Sequence, residues 1–319
     1  MSADPLSEIL DLLNAGCLLS GGMSAGGAWL RRFAQPNAIK VMAMLEGSCW
    51  LLMDGLPAPI RLETGDVMLV NGKHAMTLLS DLSLITQPEN TPTLNVVRDI
   101  SQVGSTRDTF ILGGHVAIDA DRQDLLLDVL PPLIHIGAAS DEAGVIRWLL
   151  DQLAREVVAD RPGTATATAH LAQLMFVQAI RAHLQQGGVA SQGWLRGLGD
   201  ERIAPALRLL HGEPSKSWSL GELARAVGMS RTSFAERFRA VMGTTPLAYL
   251  TDWRMYLAER DLRHTEMPVA AVAYGLGYTS ESAFSNAFKR VTGIAPRRYR
   301  TTSRGLPQTR ADTEAADAF

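Results

Sequence analysis

The sequence predicts an α+β protein of two domains, an N-terminal antiparallel β-barrel with helices attached and a C-terminal all-α domain. Three observations predict it. Short apolar runs separated by turns fill the first 120 residues, two long helical patterns follow, and one supersecondary pattern is written twice between Leu220 and Arg300. With 319 residues, 46% of them hydrophobic, the chain is long enough for two domains that each have a core.

A short helix and then a series of short strands are predicted at the start of the chain. Apolar residues from Leu6 to Leu13 have helical spacing, and the glycine-rich segment 20–27 is expected to end that helix. Seven short runs of β-forming residues follow, separated by turn signals such as Asp54-Gly55 and Asn71-Gly72. Closely spaced strands without long helices predict an antiparallel barrel or a sandwich.

A barrel of about eight strands leaves room in its interior for one small ligand. Five side chains of this part are candidates for a pocket that binds an unidentified small-molecule effector: Trp29, Met42, Met44, Trp50 and His74. The alternative is an ordinary core, because large apolar side chains on one face of a strand also pack against each other.

The two cysteines, Cys17 and Cys49, are too few for a disulfide framework. Either is a candidate for a redox-sensing thiol, and the alternative is a buried, inert side chain. The chain does not open with a basic segment, an apolar run and a cleavage site, and no stretch reaches about 18 consecutive apolar residues. We therefore expect a soluble, cytoplasmic protein without a membrane partner.

Two long helical patterns lie between about residue 140 and residue 186. The first carries Trp148, Leu149 and Leu153 at spacings of three and four, and the second covers residues 164–186. Together they offer more apolar surface than one barrel wall needs, which predicts a homodimer through these helices. The alternative is a helical cover within one chain.

The same patterns set the predicted domain boundaries. The N-terminal domain is expected to cover residues 1–186. Residues 187–200 are rich in glycine and are predicted to form a linker. The C-terminal domain covers residues 201–304, and the polar tail, residues 305–319, is expected to be disordered.

Charge is unevenly divided along the chain, although the formal net charge is only −3. Residues 201–305 contain sixteen Lys and Arg against nine Asp and Glu, whereas the remainder contains fourteen against twenty-four. A basic excess confined to one domain predicts a polyanionic partner for that domain. The alternative is a solvated basic face.

The repeat organises the C-terminal domain. Five residues of the first copy recur fifty positions later: Phe234, Phe238, Gly243, Pro246 and Tyr249. Upstream of the phenylalanines the offset is forty-nine, so the second copy has one extra residue in its turn. Each copy reads as a short helix, a turn containing glycine and a second helix, which is a helix-turn-helix pattern. Ser219 and Glu222 predict a capping box at the start of the first helix.

The second helix of each copy has an apolar side and a polar side. Successive residues turn by about 100°, which places three apolar residues of each copy inward: Phe234, Phe238, Val241, Phe284, Phe288 and Val291. The candidates for reading base edges in the major groove are Thr232, Ser233, Glu236, Glu281, Ser282 and Asn286. The candidates for phosphate contacts are Ser230, Arg231, Arg239, Ser280, Lys289 and Arg290. The expected partner is double-stranded DNA.

One helix, residues 246–265, is predicted to connect the two copies. About nineteen helical residues span about 28 Å, and successive major-groove faces are about 34 Å apart. A rigid helix of this length suits two recognition helices that lie in adjacent major-groove segments on one side of the duplex.

Residues 202–302 resemble the DNA-binding domain of the AraC/XylS family of transcription regulators, most specifically in GIAPRRYR (293–300) and the preceding FKRVTG. The N-terminal part resembles the cupin-type sensory domain of many members in GSCWLLMDG, LETGDVMLV, FILGGHV and LPPLIHI. The resemblance implies a homodimeric, effector-responsive regulator of direct-repeat half-sites. It implies an activator, which would contact RNA polymerase, more often than a repressor.

Two positions depart from the pattern of that family. Glu236 and Asn286 stand where its members frequently have arginine. Glu236 can accept a hydrogen bond from a cytosine amino group or orient Arg239. The departure therefore concerns which bases are preferred.

The resemblance to cupins also raises the alternative of an enzyme. Cupin enzymes hold a metal through a His-x-His pair, a Glu and a distant His, and this sequence has no His-x-His pair. A cupin metalloenzyme fused to a DNA-binding module is therefore disfavoured. We expect no enzymatic activity, no metal and no cofactor.

Overall fold

The computed structural model describes residues 4–36, 38–90, 93–95, 100–104, 106–119, 122–139, 143–159, 161–186 and 192–305. They form two units with separate internal contacts. The sheet unit comprises residues 15–186, and the helical unit comprises residues 4–14 and 192–305. Among the described residues, no helix is long and apolar enough to cross a membrane.

The strands of the sheet unit are β1 (Gly16–Gly26), β2 (Leu30–Phe33), β3 (Ile39–Glu46), β4 (Ser48–Met53), β5 (Ile60–Glu63), β6 (Val67–Val70), β7 (Met76–Leu79), β8 (Thr93–Asn95), β9 (Ile100–Gly104), β10 (Thr109–Ala117) and β11 (Leu133–Ile136). Seven of them form a sheet in the order β11-β6-β3-β10-β1-β9-β8, and four form a second sheet in the order β2-β7-β4-β5. The sequence pattern missed β7, β9 and β11.

The predicted antiparallel barrel is confirmed only as a sheet-rich unit, because the two sheets of the described residues do not close into one barrel. Every described ladder stays within one of the two sheets, and β1 pairs with β9 in parallel. β3 and β4 follow each other in the chain but lie in different sheets, with Gly47 between them at a φ of +77°. Apolar side chains from both sheets fill one common core, as in a sandwich.

The glycine-rich segment 20–27 lies mostly in β1, between β10 and β9, and not in the loop that the sequence suggested. Two of its glycines, Gly22 and Gly26, lie in close contact with neighbouring atoms. A Cβ at Gly26 would lie 2.3 Å from the backbone of Thr106, and one at Gly22 would lie 3.0 Å from the ring of Phe110. Glycine here therefore marks a crowded strand.

Methionine is prominent in the core between the two sheets. Six methionines belong to it: Met23, Met42, Met44, Met53, Met68 and Met76. The thioether side chain is unbranched and polarisable, which suits it to packing between side chains of different shape.

Asp66 holds three segments of the sheet unit together. Its Oδ2 accepts from the N–H of Glu63 at 3.0 Å and lies 3.0 Å from Nε2 of His135 on β11, and its Oδ1 accepts from the N–H of Ala138 at 2.8 Å. Burial raises the pKa of this carboxyl, but the hydrogen bonds outweigh burial and hold the pKa below its ordinary value.

The helices of the sheet unit are α2 (Asp124–Leu127), α3 (Ala143–Ala159) and α4 (Thr164–Gln185). The predicted helix over 164–186 is confirmed by α4, which packs against α3 and β1. Leu149 and Leu153 of the predicted stripe are fully buried, whereas Trp148 of that stripe and the nearby Val145 are exposed. The stripe therefore divides into an inward and an outward set.

The helical unit contains nine helices among the described residues: α1 (Pro5–Leu12), α5 (Trp194–Gly199), α6 (Ala204–Gly212), α7 (Leu220–Ala226), α8 (Arg231–Met242), α9 (Pro246–His264), α10 (Val269–Gly275), α11 (Glu281–Thr292) and α12 (Pro296–Gly305). α5 falls within the segment predicted to be a linker. It is ordered by burial, because Trp194 and Leu195 are buried and the N–H of Gly193 donates to the carbonyl of Val241 at the end of α8.

α1 belongs to the helical unit, although the sequence pattern assigned residues 1–186 to one N-terminal domain. Its apolar side is buried, and it packs against α6 and α9. Glu8 on α1 lies 2.9 Å from Nδ1 of His211 on α6, and the other ring nitrogen of His211 lies 2.8 Å from the hydroxyl of Tyr249 on α9. These hydrogen bonds, centred on the buried ring of His211, attach α1 to the helical unit.

Candidate nucleic-acid interface

The first helix-turn-helix unit consists of α7 and α8. The predicted capping box is confirmed, since the hydroxyl of Ser219 accepts from the N–H of Glu222 while the Glu222 carboxylate accepts from the N–H of Ser219. The turn passes through Gly228 at a φ of +67°, and Ser230 caps α8 by accepting from the N–H of Ser233.

The second unit, α10 and α11, has the same construction. Its turn passes through Gly277 at a φ of +82°, and Ser280 caps α11 by accepting from the N–H of Ala283. The N–H of Tyr278 donates to Ala273, as that of Met229 donates to Ala224 in the first unit. Because these two hydrogen bonds correspond, the extra residue of the second turn is Thr279.

Aromatic side chains form the core of each unit. Phe234, Phe238, Phe284 and Phe288 are fully buried, as predicted. The ring of Phe238 contacts Tyr249 edge-on at 6.1 Å, and that of Phe288 contacts Tyr299 at 5.4 Å. The residues that recur at a spacing of fifty therefore make the same phenylalanine–tyrosine contact in both units.

The two copies differ at the valine that follows. Val241 is 5% exposed, but Val291 is 41% exposed, so the inward placement predicted for Val291 is wrong. α5 packs against α8 beside Val241 and Met242, whereas among the described residues no helix takes the place of α5 on α11. The two copies have the same apolar periodicity, but in the described part of the chain only the first has a further helix, α5, that covers the valine.

Most of the base-reading candidates lie on the exposed sides of α8 and α11. Five of the six are exposed: Thr232, Ser233, Glu236, Ser282 and Asn286. Glu281 is half-buried and lies 3.3 Å from a guanidinium nitrogen of Arg297 on α12. That ion pair reduces the availability of Glu281, and it brings Arg297, which the sequence pattern did not single out, to the start of α11.

The phosphate candidates are also at the surface. Arg231, Arg239, Lys289 and Arg290 are exposed, and Ser230 and Ser280 stand at the N-termini of α8 and α11. Ser280 accepts a capping hydrogen bond and can still donate its own proton to an anion, whereas the hydroxyl of Ser230 donates to Oγ of Ser233 at 2.9 Å. The positive ends of both recognition helices therefore lie next to serine hydroxyls.

One arginine of α8 has a structural partner instead. Arg237 donates through Nε to Asp200 at 3.1 Å, and its Nη2 lies 3.0 Å from the second carboxylate oxygen. Burial raises the pKa of Asp200, but hydrogen bonds from Arg237 and two backbone N–H groups bring it below its ordinary value. Arg237 therefore ties α8 to the start of α6, and no sequence signal distinguished it from Arg239.

The effector-pocket candidates of the sheet unit lie in different surroundings. Trp29, Met42 and Met44 are buried together in the core between the two sheets. Trp50 is half-buried with the guanidinium of Arg61 5.3 Å from its ring centre, and the ring of His74 lies near Gly55.

A pocket of about 350 Å³ lies elsewhere on the sheet unit. Its walls include Leu52, Leu56 and Ile85, and the guanidinium-bearing Arg32 and the carboxyl-bearing Asp54 also line it. We call it the outer pocket. None of the five predicted side chains is among its lining residues.

Both cysteines are buried. Burial raises the pKa of the Cys17 thiol and of the Cys49 thiol to about 12. Only the thiolate reacts rapidly with oxidants, and a raised pKa keeps both side chains in the thiol form. This counts against the redox-switch alternative. Among the described residues, no three His, Cys, Asp or Glu side chains are grouped as a metal site would need.

Family models match both parts of the chain. A model described as Cupin matches residues 4–185, and one described as Helix-turn-helix domain matches residues 223–302. The first range includes α1 by sequence, although α1 packs in the helical unit.

Relatives of nearly the full length are similar as well. A putative AraC-like transcription regulator of Streptomyces antibioticus is 39% identical over 297 residues, which cover 93% of this chain and 98% of the relative. The HTH-type transcriptional regulator AlkR of Acinetobacter baylyi is 30% identical over 311 residues, covering 94% of this chain and 100% of AlkR. Among solved structures, the DNA-binding domain of AdpA, a global transcriptional factor, in complex with a target DNA is 30% identical. The match covers 33% of this chain and 95% of the AdpA chain, with a TM-score of 0.32.

Proposed function

The chain belongs to the AraC family of DNA-binding transcription regulators, and from this premise we propose that it reads DNA with both helix-turn-helix units, one in each of two adjacent major-groove segments. The observation that carries this proposal is the repeated construction of the two units on α9. That helix has 19 residues, which corresponds to about 28 Å, close to the repeat of about 34 Å between major-groove faces.

The exposed edges of α8 and α11 divide into two kinds of contact under this proposal. Thr232, Glu236, Ser282 and Asn286 read bases, while the arginines and lysine near the ends of the helices bind phosphates. Because Glu236 and Asn286 are different side chains at corresponding positions, the two half-sites would differ in sequence.

Replacing Arg239 by alanine tests the phosphate role. Arg239 is exposed in the last turn of α8 and has no acidic side chain within 4 Å among the described residues. We expect Arg239→Ala to weaken binding to all sequences and to lower the slope of log Kd against log salt by about one. Fluorescence anisotropy at four salt concentrations measures the slope.

Asn286→Ala is the matched variant for that measurement. Asn286 is also exposed on a recognition helix but is uncharged, so its loss should leave the salt slope unchanged. Preference at one or two base pairs should instead relax by about 1–3 kcal/mol. A reduced slope for Asn286→Ala, or an unchanged slope for Arg239→Ala, contradicts the division between bases and phosphates.

We further propose that the outward face of α3 forms a homodimer. Val145 and Trp148, one turn apart, are 50% and 55% exposed, and Leu174 on the adjacent α4 is 41% exposed. An apolar patch of this kind on a helix pair suits a twofold interface. We expect Trp148→Asp to shift the protein from dimer to monomer in sedimentation equilibrium, whereas Leu82→Asp, which also charges an exposed apolar side chain, leaves the dimer intact. A dimer that survives Trp148→Asp rules out this face.

The outer pocket is our proposed effector site, because Trp29, Met42 and Met44 are packed in the core between the two sheets. Its walls combine apolar side chains with Arg32 and Asp54, so a small molecule with an apolar body and a polar group fits it. A ligand at one hundred times its Kd should stabilise the sheet unit by about 2.7 kcal/mol. In a thermal-shift screen of short alkyl carboxylates and alcohols, a hit should lose its effect in Leu52→Trp, which fills the pocket, and keep it in Leu82→Trp.

A hit that still stabilises Leu52→Trp binds elsewhere. If an effector increases transcription in vitro from a promoter that the protein binds, the regulator acts as an activator, and RNA polymerase is then its next partner.

A further inference from the structure

The turn of the second helix-turn-helix unit lies directly against the segment that leads into the first. Gly277 carries a φ of +82°, and a Cβ at this position would lie 2.0 Å from the carbonyl oxygen of Ser215. Gly228, the corresponding glycine of the first unit, has a φ of +67°, and a Cβ there would meet no atom within 4 Å among the described residues. Both positions favour glycine because the backbone has a positive φ. Only at Gly277 would a side chain also collide with a neighbouring segment.

The segment that Gly277 contacts, residues 213–218, is itself fixed. The indole N–H of Trp218 donates to the carbonyl of Glu213 at 3.1 Å, and the ammonium group of Lys216 lies 3.6 Å from the centre of the Trp218 ring. The next residue, Ser219, is the N-cap of α7. The position of this segment therefore sets where the first unit begins.

Arg254 on α9 joins that segment to the second turn. Its Nε donates to the carbonyl of Pro214 at 2.6 Å and its Nη2 to the carbonyl of Lys216 at 2.9 Å. The same guanidinium lies 5.7 Å from the centre of the Tyr278 ring. Burial lowers the pKa of Arg254 from its ordinary value, but that value is so high that the side chain stays charged.

Tyr278 passes the contact on to the recognition helix. Its ring meets Phe284 of α11 edge-on, with 5.5 Å between ring centres. Thr279, the extra residue of this turn, gives the second unit a longer turn than the first, which separates Tyr278 from the cap residue Ser280. A continuous series of contacts thus runs from the start of the first unit through Arg254 to the core of the second.

We infer that Arg254, Tyr278 and Gly277 form a clamp that fixes the two recognition helices relative to each other, so that Arg254 is a positioning residue that sets the spacing of half-sites the protein accepts. This inference rests on the proposed reading of DNA by both units. If α9 were the only connection between the two units, it could bend or twist and so change their relative position. The contacts of Arg254 and Gly277 with residues 213–218 add a second connection, which restricts that motion. One inserted base pair moves a half-site by about 3.4 Å and rotates it about the duplex axis, which a clamped pair cannot follow.

The test uses the full chain and duplexes selected by the wild-type protein from a random-sequence library. The selected site is then remade with one base pair added or removed between its two boxes, and with one box scrambled. For the wild type, the altered spacings should bind no better than the single-box duplex. For Arg254→Met, which keeps the aliphatic stem but loses the donors and the charge, the three spacings should bind within about threefold of one another. Single-box binding should be unchanged.

Matched variants separate the clamp from general damage. Arg260→Met, on the same helix with its described contacts to the neighbouring Asp261, should keep the wild-type spacing dependence. Gly277→Ala and Gly228→Ala strain the backbone alike, but only Gly277→Ala should loosen the spacing dependence. If circular dichroism shows that Arg254→Met does not fold, the spacing dependence of Tyr278→Leu, and the comparison of Gly277→Ala with Gly228→Ala, test the clamp instead.

Three results would each overturn part of this account. A wild-type protein that binds the selected two-box duplex no better than the single-box duplex contradicts the proposed two-unit reading. A wild-type protein that binds all three spacings equally, and each more tightly than the single-box duplex, rejects the clamp but not the two-unit reading. A sharp wild-type optimum that persists in Arg254→Met, or in Tyr278→Leu and Gly277→Ala, leaves the two-unit reading intact and rejects the clamp.

Discussion

Replacing Phe288 by alanine is expected to lower the free energy of unfolding of the helical unit by about 3–5 kcal/mol. The side chain is fully buried, with Phe284 5.7 Å and Tyr299 5.4 Å away between ring centres. The loss leaves a cavity between α11 and α12 and removes two ring contacts. Urea unfolding of the full chain, followed by circular dichroism at 222 nm, measures the change, and DNA binding should weaken with it.

The control for Phe288→Ala comes from the two valines that the repeat treats as equal. Val241→Ala should cost about 1–2 kcal/mol because Val241 is buried, whereas Val291→Ala should stay within about 0.5 kcal/mol because Val291 is exposed. Equal costs for the two valines would contradict the different cover that α5 provides.

Asp66→Ala is the second large effect, with an expected loss of about 3 kcal/mol from the stability of the sheet unit. The carboxylate accepts from two backbone N–H groups and lies within hydrogen-bond distance of His135, and each partner would be left without it. Asp54→Ala removes an exposed carboxylate without a described side-chain hydrogen bond and should cost less than about 0.5 kcal/mol.

The contribution of Asp66 should also depend on pH in a defined direction. Its pKa in the folded protein is below the unfolded value of about 3.9, so the folded state favours the ionised form. The difference in unfolding free energy between wild type and Asp66→Ala should therefore be constant above about pH 5 and shrink as the pH falls through the folded pKa. A difference that grows on acidification would contradict the hydrogen-bonded carboxylate.

The helical unit was largely predictable because its signals are local. Ser219 and Glu222 predicted a helix cap, which the structure contains. The phenylalanines recur at helical spacing, and all four of them are buried as that spacing predicts. Val291 was misplaced because periodicity gives the direction of a side chain but not whether another element covers it. α5, which makes the difference at Val241, lies in a glycine-rich stretch without a clear period.

The sheet unit was less predictable because its decisive contacts are distant in sequence. The glycines of β1 suggested a break in the chain, while in the fold they accommodate Phe110 and Thr106. Asp66 lies in the LETGDVMLV segment that resembles the cupin domain, but its partner His135 is 69 residues away. Likewise, the link between Glu8 and His211 spans 203 residues, so no local pattern could place α1 in the helical unit.

Hydroxyl-radical footprinting of the full chain on a selected duplex tests the central claim most directly. If both helix-turn-helix units of one subunit read adjacent major-groove segments, each subunit protects two patches on one side of the duplex, about one helical turn of about 10 base pairs apart. Phe288→Ala should remove one of the two patches or both. A single protected patch per subunit, or two patches on opposite sides of the duplex, would contradict the account.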